Sequence, residues 1–176
     1  MFPGMKPGNV FLIGPMGVGK STIGRHLAGL LHKTFLDSDH EIEARTGVSI
    51  PVIFEIEGEA GFRKRESAMI EELTAKRDVV LATGGGAVLA EANRMALRDR
   101  GVVIYLSAPI ETLFERTRRD KNRPLLQTAD PRQRLTEMLA QRDPLYRSTA
   151  HLIVSTEQRS PAQVARDIEQ RVQDSV

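Results

Sequence analysis

Residues 14–21, with the sequence GPMGVGKS, constrain the fold of this chain more than any other stretch. They match the phosphate-binding loop G-x-x-x-x-G-K-[ST] at every fixed position. An apolar run at residues 10–13 precedes them, and the segment that follows carries apolar residues at helical spacing, namely Ile23, Leu27, Leu30 and Leu31. A strand, a glycine-rich loop and a helix are the context that this motif requires. A chance glycine turn before a lysine rarely meets all these conditions, so the sequence predicts a nucleotide-binding site.

The fixed residues of this loop each have a chemical use. Gly14 and Gly19 allow the backbone to turn, so that successive N–H groups and the N-terminus of the helix can surround a polyphosphate. Lys20 can then reach the β- and γ-phosphates, and the hydroxyl of Ser21 can ligate Mg²⁺. The sequence therefore predicts a nucleotide polyphosphate bound together with Mg²⁺.

Length and composition limit the remaining possibilities. The chain has 176 residues, 40% of them hydrophobic, which suits one domain, and it has no cysteine for a disulfide, a thiolate zinc site or a nucleophile. No apolar stretch approaches the roughly 20 residues of a membrane span, and residues 1–8 contain no apolar signal core. The net charge of +2 is too small for non-specific nucleic-acid binding. We expect one cytoplasmic domain over residues 1–176, monomeric, with a loose N-terminal arm and neither membrane nor nucleic-acid partners.

Short apolar runs alternate with helical patterns along the chain. Runs this continuous are typical of parallel strands that are buried on both faces. The alternation predicts an α/β fold, a three-layer α/β/α sandwich around a five-stranded parallel sheet, whose ligands bind at the carboxyl ends of the strands. The predicted strands occupy residues 10–13, 34–36, 79–82, 102–106 and 152–154.

Helix boundaries are visible at several positions. Ser49 is placed to cap a short helix that has Pro51 in its first turn, and Gly58 is predicted to interrupt the helical pattern further on. Asp130 followed by Pro131 predicts the start of another helix, with the aspartate as its cap.

Asp37 and Asp39 follow the second predicted strand directly. Because side chains alternate along a strand, a strand continued through both residues would point both carboxylates the same way. They could be solvated loop residues, but the phosphate-binding loop favours a role in phosphoryl transfer. Asp37 suits a carboxylate that holds the water shell of Mg²⁺, and Asp39 suits one that orients the attacking hydroxyl.

Two arginines are candidates for binding a second anion. Arg142 falls on the inward stripe of its helix, seven residues after Leu135 and four after Met138, where a guanidinium needs a planar anionic partner such as a carboxylate. Arg63 lies four residues after Glu59 and three before Glu66, so an exposed ladder of helical ion pairs explains it equally well.

Gly84, Gly85 and Gly86 follow a buried strand without a break. They could form a flexible turn, but three consecutive glycines at this position favour a close approach of a ligand or metal to the main chain.

A basic segment lies between the fourth predicted strand and the helix at Asp130. It contains Arg116, Arg118, Arg119, Lys121 and Arg123. RNA binding is disfavoured because no aromatic side chains are interleaved for base stacking. The segment instead predicts a mobile lid that closes over ATP and places an arginine on the γ-phosphoryl group.

Six segments occur in one order over nearly the whole chain. They are GPMGVGKSTIGRHLA (14–28), LDSD (36–39), IFEIEGEAGFRKRE (53–66), VVLATGGG (79–86), NRPLL (122–126) and RDPLY (142–146). The phosphate-binding loop alone is shared by many proteins, but this succession is highly specific. It resembles the shikimate kinase family, within the nucleoside-monophosphate-kinase-like group of P-loop folds. The resemblance implies transfer of the γ-phosphoryl group of MgATP to the 3-hydroxyl of shikimate, on the route to chorismate and aromatic amino acids.

The resemblance also implies roles for single residues around the phosphates and the metal. The residues that would hold the ATP phosphates are Gly17, Val18, Gly19, Lys20, Ser21 and Thr22. Ser21 would ligate Mg²⁺, and Asp37 would hold a water bound to it. Asp39 would take the substrate hydroxyls as the family's proposed base.

Further positions complete the implied site. Shikimate would be bound by Arg63, Arg142 and the glycine run 84–86, with the two arginines on its carboxylate, within a substrate-binding region at about residues 38–66 and beyond. Arg123, in a lid at about residues 116–130, would contact the ATP phosphates and the transferring group. Arg116 and Arg159 would flank the adenine.

Two alternatives remain at this level. The first is a related kinase for gluconate or a nucleoside monophosphate, since paired arginines fit a carboxylate or a phosphate equally well by charge. The second is a nucleotide-dependent switch without small-molecule chemistry, which would not need the second anion site.

Overall fold

The computed structural model describes residues 8–119 and 128–174, and within them the chain forms a five-stranded parallel sheet in the order β2-β3-β1-β4-β5. The strands are β1 (Val10–Ile13), β2 (Thr34–Asp37), β3 (Val79–Ala82), β4 (Val102–Ser107) and β5 (Leu152–Ser155). The helices are α1 (Lys20–Leu31), α2 (Ser38–Thr46), α3 (Ile50–Thr74), α4 (Glu91–Arg100), α5 (Ile110–Thr117), α6 (Pro131–Thr149) and α7 (Pro161–Asp174), with a short 3₁₀ helix at Ala87–Leu89. The predicted parallel sheet is confirmed.

Helices cover both faces of the sheet, which makes the predicted three-layer sandwich. Leu12 of β1 faces one hydrophobic core, to which α1, α5 and α7 contribute, while Phe11 faces the other, built with α3 and α4. Helix α6 contributes to both cores. All residues of β1 and β3 are buried, because a strand covered on both faces has no solvated side.

The predicted helix boundaries hold, with one difference in the capping chemistry. Gly58 has φ 73° and ψ 179°, so it breaks α3 as expected. Ser49 occupies the N-cap of α3, but its side chain makes no capping hydrogen bond, and the N–H of Ile50 donates instead to the carboxylate of Glu43 at 2.9 Å. Asp130 caps α6 by accepting a hydrogen bond from the N–H of Gln133 at 3.1 Å.

The crossover pattern places one cleft at the carboxyl edge of the sheet. From β1 the chain crosses towards the edge of the sheet that ends with β2, whereas from β3 it crosses towards the opposite edge to reach β4. The two connections therefore diverge between the neighbours β1 and β3. Ligands of open α/β sheets bind where the connections diverge in this way. The phosphate-binding loop follows β1 and the glycine run follows β3, so both lie at this position.

Some predicted segments fall at the limits of the described structure. The loose arm at residues 1–8 lies outside it except for Gly8, and Arg123 lies outside it with the central part of the lid. The ends of the predicted lid form the last turn of α5 and the capped start of α6. In the described ranges, no helix has the length and apolar character needed to cross a membrane.

Candidate active site

The phosphate-binding loop adopts backbone conformations that its glycines permit. Gly14 has φ 147°, and a Cβ added there would lie 2.5 Å from the carbonyl oxygen of Leu106. Gly19 has φ 99° and occupies the N-cap of α1. Left-handed backbone of this kind favours glycine, and it leads the loop into the N-terminus of α1, where unpaired N–H groups attract anions.

The side chain of Lys20 folds back over the phosphate-binding loop. Its side chain is buried, with 8% of the residue exposed. The Nζ atom donates hydrogen bonds to the carbonyl oxygens of Gly14 at 2.6 Å and Pro15 at 2.9 Å. The ammonium group is therefore held at the edge of the cleft, within the first turn of α1, where a polyphosphate on the loop would meet it.

Ser21 and Asp37 are in direct contact. The hydroxyl of Ser21 donates a hydrogen bond to Oδ2 of Asp37, while Oδ1 accepts one from the N–H of His40 at 3.1 Å. This second bond makes Asp37 the N-cap of α2 and fixes its carboxylate. Two oxygen ligands beside a phosphate-binding loop suit Mg²⁺, which keeps several waters and takes few protein ligands.

Asp39 reaches the cleft by a route different from the predicted one. Strand β2 ends at Asp37, and Asp39 lies in the first turn of α2 rather than two residues along a strand. The expectation from strand alternation was therefore wrong, because the cap formed by Asp37 turns the chain into a helix at once. Both carboxylates nevertheless line the cleft.

The segments that follow β1, β2 and β3, including the first turns of α1 and α2, together form this cleft. Its lining residues are Met16, Gly17, Gly19, Lys20, Ser21, Thr22, Asp37, Asp39, Thr83, Gly84 and Gly85. The structure thus brings the phosphate-binding loop, both candidate aspartates and two of the three glycines into one cavity.

The glycines of the run 84–86 make room for side chains of the protein itself. A Cβ on Gly84 would lie 2.7 Å from Oδ1 of Asp39, and one on Gly86 would lie 2.5 Å from both terminal nitrogens of Arg63. A side chain on either glycine would therefore require Asp39 or Arg63 to shift. At these two positions, the groups that come close to the main chain are the side chains of Asp39 and Arg63, both candidate substrate-binding residues.

Arg63 belongs to a buried ion pair, which answers the question that the sequence left open. Its Nη1 lies 2.9 Å from Oε1 of Glu66, of which 1% is exposed, and its Nη2 lies 3.4 Å from the exposed carboxylate of Glu59. Burial raises the pKa of Glu66, although the charge of Arg63 acts in the opposite direction. An exposed helical ladder would leave both carboxylates in solvent, so Arg63 instead faces inward.

Glu66 is a site residue that the sequence did not identify. It lies four residues after Phe62 and four before Ile70, both buried, and is therefore a carboxylate on the apolar face of α3. The same signal, a charged residue on an inward stripe, identified Arg142.

Arg142 is buried as predicted, with 4% of the residue exposed. Burial lowers its pKa, and the positive charge of Arg63 lowers it further, while the charge of Glu66 raises it. Three buried polar atoms of this cluster lack a hydrogen-bond partner within the described chain: Nε of Arg63, Nε of Arg142 and Oε2 of Glu66. Buried polar groups are normally paired, so the cluster has the character of a ligand site.

The two arginines expected beside the adenine have different surroundings. Nη1 of Arg116, on α5, donates to the carbonyl oxygens of Gly17 and Val18 at 3.2 Å each, which ties it to the phosphate-binding loop. Arg159 follows β5 and donates to the carbonyl of Ser155 and to the carboxylate of Asp167, both at 2.9 Å.

The close contact between Gly86 and Arg63 leads to a testable prediction. We expect Gly86→Ala to lower kcat/KM for the acceptor, shikimate according to the family resemblance, about 10- to 100-fold. The new Cβ must displace the guanidinium, and small misplacements of a binding group have effects of this size. The thermal midpoint should also fall, because the displaced guanidinium leaves the buried carboxylate of Glu66 less well paired. Steady-state kinetics and thermal unfolding measure both quantities.

Gly29→Ala is the matched control. Gly29 lies in α1 with nothing within 4 Å of an added Cβ, so the substitution should preserve kinetics and stabilise the helix slightly. An unchanged kcat/KM in Gly86→Ala would contradict the assigned position of Arg63.

Three features together define a P-loop kinase of small molecules: the parallel sheet, the phosphate-binding loop and the adjacent anion-binding cluster of Arg63, Glu66 and Arg142. The family model for shikimate kinase matches residues 16–173. The chain belongs to the shikimate kinase family and is an ATP-dependent kinase that acts on a hydroxyl of shikimate.

Individual relatives agree with this family. The shikimate kinase of Nitrosospira multiformis is 59% identical over 165 residues, covering 94% of this chain and 85% of the relative. That of Acinetobacter baylyi is 59% identical over 160 residues, covering 91% and 89%. A solved structure, shikimate kinase from Acinetobacter baumannii in complex with shikimate, has a TM-score of 0.94 and 53% identity over 96% of this chain and 94% of that one. Gluconate and nucleoside monophosphates, the acceptors that the sequence left open, are not favoured.

Proposed function

We propose that this site transfers the γ-phosphoryl group of MgATP to the 3-hydroxyl of shikimate, giving shikimate 3-phosphate and ADP. The observation that carries the proposal is the meeting of two anion-binding features at one cleft. One is the phosphate-binding loop with Lys20, which lines the cleft. The other is the half-buried Arg63 with the buried Arg142, which lie against the glycine run at the wall of the cleft. A substrate that is a phosphoryl acceptor and also a carboxylate needs both features.

The donor end of the cleft would bind ATP. The N–H groups of residues 17–22 and the N-terminus of α1 would surround the phosphates, with the ammonium group of Lys20 on the β- and γ-phosphates. Lys20 would exchange its hydrogen bonds with Gly14 and Pro15 for bonds to phosphate oxygens. Its charge would then spread the negative charge that accumulates during transfer.

Mg²⁺ is part of the proposal. Ser21 would ligate the ion, and Asp37, already fixed as a helix cap, would hold one of its waters. The ion, when bound, neutralises charge on the β- and γ-phosphates.

The acceptor end of the cleft would bind shikimate. Arg63 and Arg142 would hold its carboxylate, because a guanidinium matches a carboxylate in geometry as well as charge. The main chain of residues 84–86 would form the floor beside them. Asp39, which packs against Gly84, would accept a hydrogen bond from the 3-hydroxyl and take its proton as the oxygen bonds to phosphorus. Holding the hydroxyl in line with the γ-phosphoryl group supplies most of the catalysis.

Several further assignments rest on the family resemblance. Arg116 and Arg159 would flank the adenine, and the contact of Arg116 with the phosphate-binding loop supports its assignment. Arg123, outside the described residues, would contact the transferring group from the lid. A monomer in the cytoplasm, organised as one domain over residues 1–176, completes the proposal.

The experiment is an assay of ADP release from MgATP with purified protein. It compares shikimate, gluconate, nucleoside monophosphates and no acceptor. Release that depends on shikimate supports the proposed reaction, and phosphorus NMR of the product identifies the phosphorylated hydroxyl. Equal release without acceptor, or release only with another acceptor, would overturn the acceptor site while leaving the nucleotide site intact.

A further inference from the structure

Tyr146 joins the glycine run to the helix that carries Arg142. It lies one helical turn after Arg142 on α6, and 1% of it is exposed. Its hydroxyl donates a hydrogen bond to the carbonyl oxygen of Gly85 at 2.5 Å, and Nη1 of Arg142 lies 3.6 Å from the position that a Cβ on Gly85 would occupy. Burial raises the pKa of Tyr146 to about 12, so the hydroxyl remains a neutral donor at neutral pH.

The glycine run is also held from the opposite side. The hydroxyl oxygen of Ser38, which is fully buried on α2, accepts a hydrogen bond from the N–H of Gly84 at 3.1 Å. Two side chains from different helices therefore bind the N–H of Gly84 and the carbonyl of Gly85, in a segment that has no side chains of its own. The position of the glycine run relative to α6 depends on Tyr146.

The Tyr146 hydroxyl and the Arg142 guanidinium meet at Gly85. A phenol has one proton to donate, which goes to the Gly85 carbonyl, so only its oxygen lone pairs face the positive charge of Arg142. The guanidinium packs against Gly85, and its Nε has no hydrogen-bond partner within the described chain. A buried binding group that is oriented in advance loses less entropy when its ligand arrives.

We propose that Tyr146 is a positioning residue for the acceptor, whose hydroxyl fixes the Gly85 carbonyl and the Arg142 guanidinium relative to each other. The proposal rests on the proposed binding of the shikimate carboxylate by Arg142. Without the hydroxyl, the Gly85 carbonyl loses its donor, and the glycine run against which the guanidinium packs is no longer fixed to α6, so the acceptor site loosens. The nucleotide end of the cleft has no contact with this hydroxyl among the described hydrogen bonds.

Tyr105 offers a closely matched control. Its ring lies 4.9 Å from that of Tyr146, between centroids, and its hydroxyl donates to Oδ1 of Asp143 at 2.6 Å. The other oxygen of Asp143 accepts from Nε of Arg147 at 2.8 Å. Tyr105→Phe therefore removes a hydroxyl hydrogen bond from the same pair of rings without touching the glycine run or Arg142.

The experiment compares Tyr146→Phe with Tyr105→Phe. For Tyr146→Phe we expect the KM for shikimate to rise about 10-fold or more, as for loss of a hydrogen bond to a charged group, with the KM for ATP within about twofold of its original value. Tyr105→Phe should leave both KM values unchanged. Thermal unfolding of both variants separates this effect from a loss of stability. Equal kinetic effects in the two variants, or a change in stability alone, would overturn the proposal.

A double-mutant cycle with Arg142→Lys tests whether Tyr146 acts through Arg142. We expect Tyr146→Phe to raise the shikimate KM much less in the Arg142→Lys background, because the oriented guanidinium is already gone. If the two substitutions raise the shikimate KM by independent factors, Tyr146 does not act through Arg142. If Arg142→Lys alone leaves the shikimate KM unchanged, the carboxylate assignment falls, and this inference falls with it. If only Tyr146→Phe is without effect, the assignment stands and the inference fails.

Discussion

Asp39→Asn should lower kcat with shikimate by about 10²- to 10⁴-fold, the range expected when a general base is removed. Asparagine has nearly the same shape as aspartate and still fits against Gly84, where the carboxylate packs now. It can still hydrogen-bond the 3-hydroxyl, but it cannot take its proton at neutral pH. The KM for ATP should therefore change little. Steady-state kinetics with each substrate varied in turn measures these quantities.

The control for this variant is Asp78→Asn. Asp78 precedes β3, at the end of the sheet opposite the cleft, and its side chain is 73% exposed. Its φ of 55° is a left-handed conformation that asparagine also tolerates, so the control should fold and turn over normally. A near-normal kcat in Asp39→Asn would remove Asp39 as the base. A normal kcat with a raised KM for shikimate would leave it only an orienting role.

Lys20→Met should lower kcat by about 10²- to 10³-fold, as expected for removal of one preorganised donor from a developing negative charge. Methionine keeps most of the buried aliphatic length but neither the charge nor the hydrogen bonds to Gly14 and Pro15. The phosphate-binding loop also loses these two internal hydrogen bonds, so the KM for ATP should rise. Kinetics with MgATP varied, together with direct nucleotide-binding measurements, separates the two effects.

Lys33→Met provides the comparison for Lys20→Met. The Nζ of Lys33 pairs with Oδ1 of Asp78 at 3.4 Å, away from the cleft. A surface pair of this kind contributes little to stability, so this control should keep its kcat. If the two lysine variants had similar activity, Lys20 would have no special part in phosphoryl transfer.

The phosphate-binding loop and the strands could be predicted because their causes are local. Glycines at fixed spacing between an apolar run and a helical pattern leave few alternatives for β1, the loop and α1. The predicted strands at 79–82, 102–106 and 152–154 agree with the observed ones to within a residue at their ends. Burial on both faces imposes a continuous apolar run that is readable without a structure.

Asp39 and Glu66 show where local patterns were insufficient. Strand alternation was extended to Asp39, but the bond from the His40 N–H to Asp37 starts a helix at Ser38. Glu66 looked like one member of an exposed ion-pair series, although its spacing from Phe62 and Ile70 places it on the apolar face of α3. Its carboxylate packs beside Gly84, and the charges of Arg63 and Arg142 offset the effect of burial on its pKa.

The sequence by itself determined the parallel α/β fold, the nucleotide-binding loop and the family, because each depends on residue types at short, ordered spacings. Only the tertiary structure decided that Arg63 turns inward, that Glu66 compensates it, and that Tyr146 ties the glycine run to α6. These contacts join residues distant in the chain, and their energies depend on which charges share a buried volume. The acceptor end of the cleft is therefore a property of the packed sheet and its helices, whereas the loop after β1 is a property of its own eight residues.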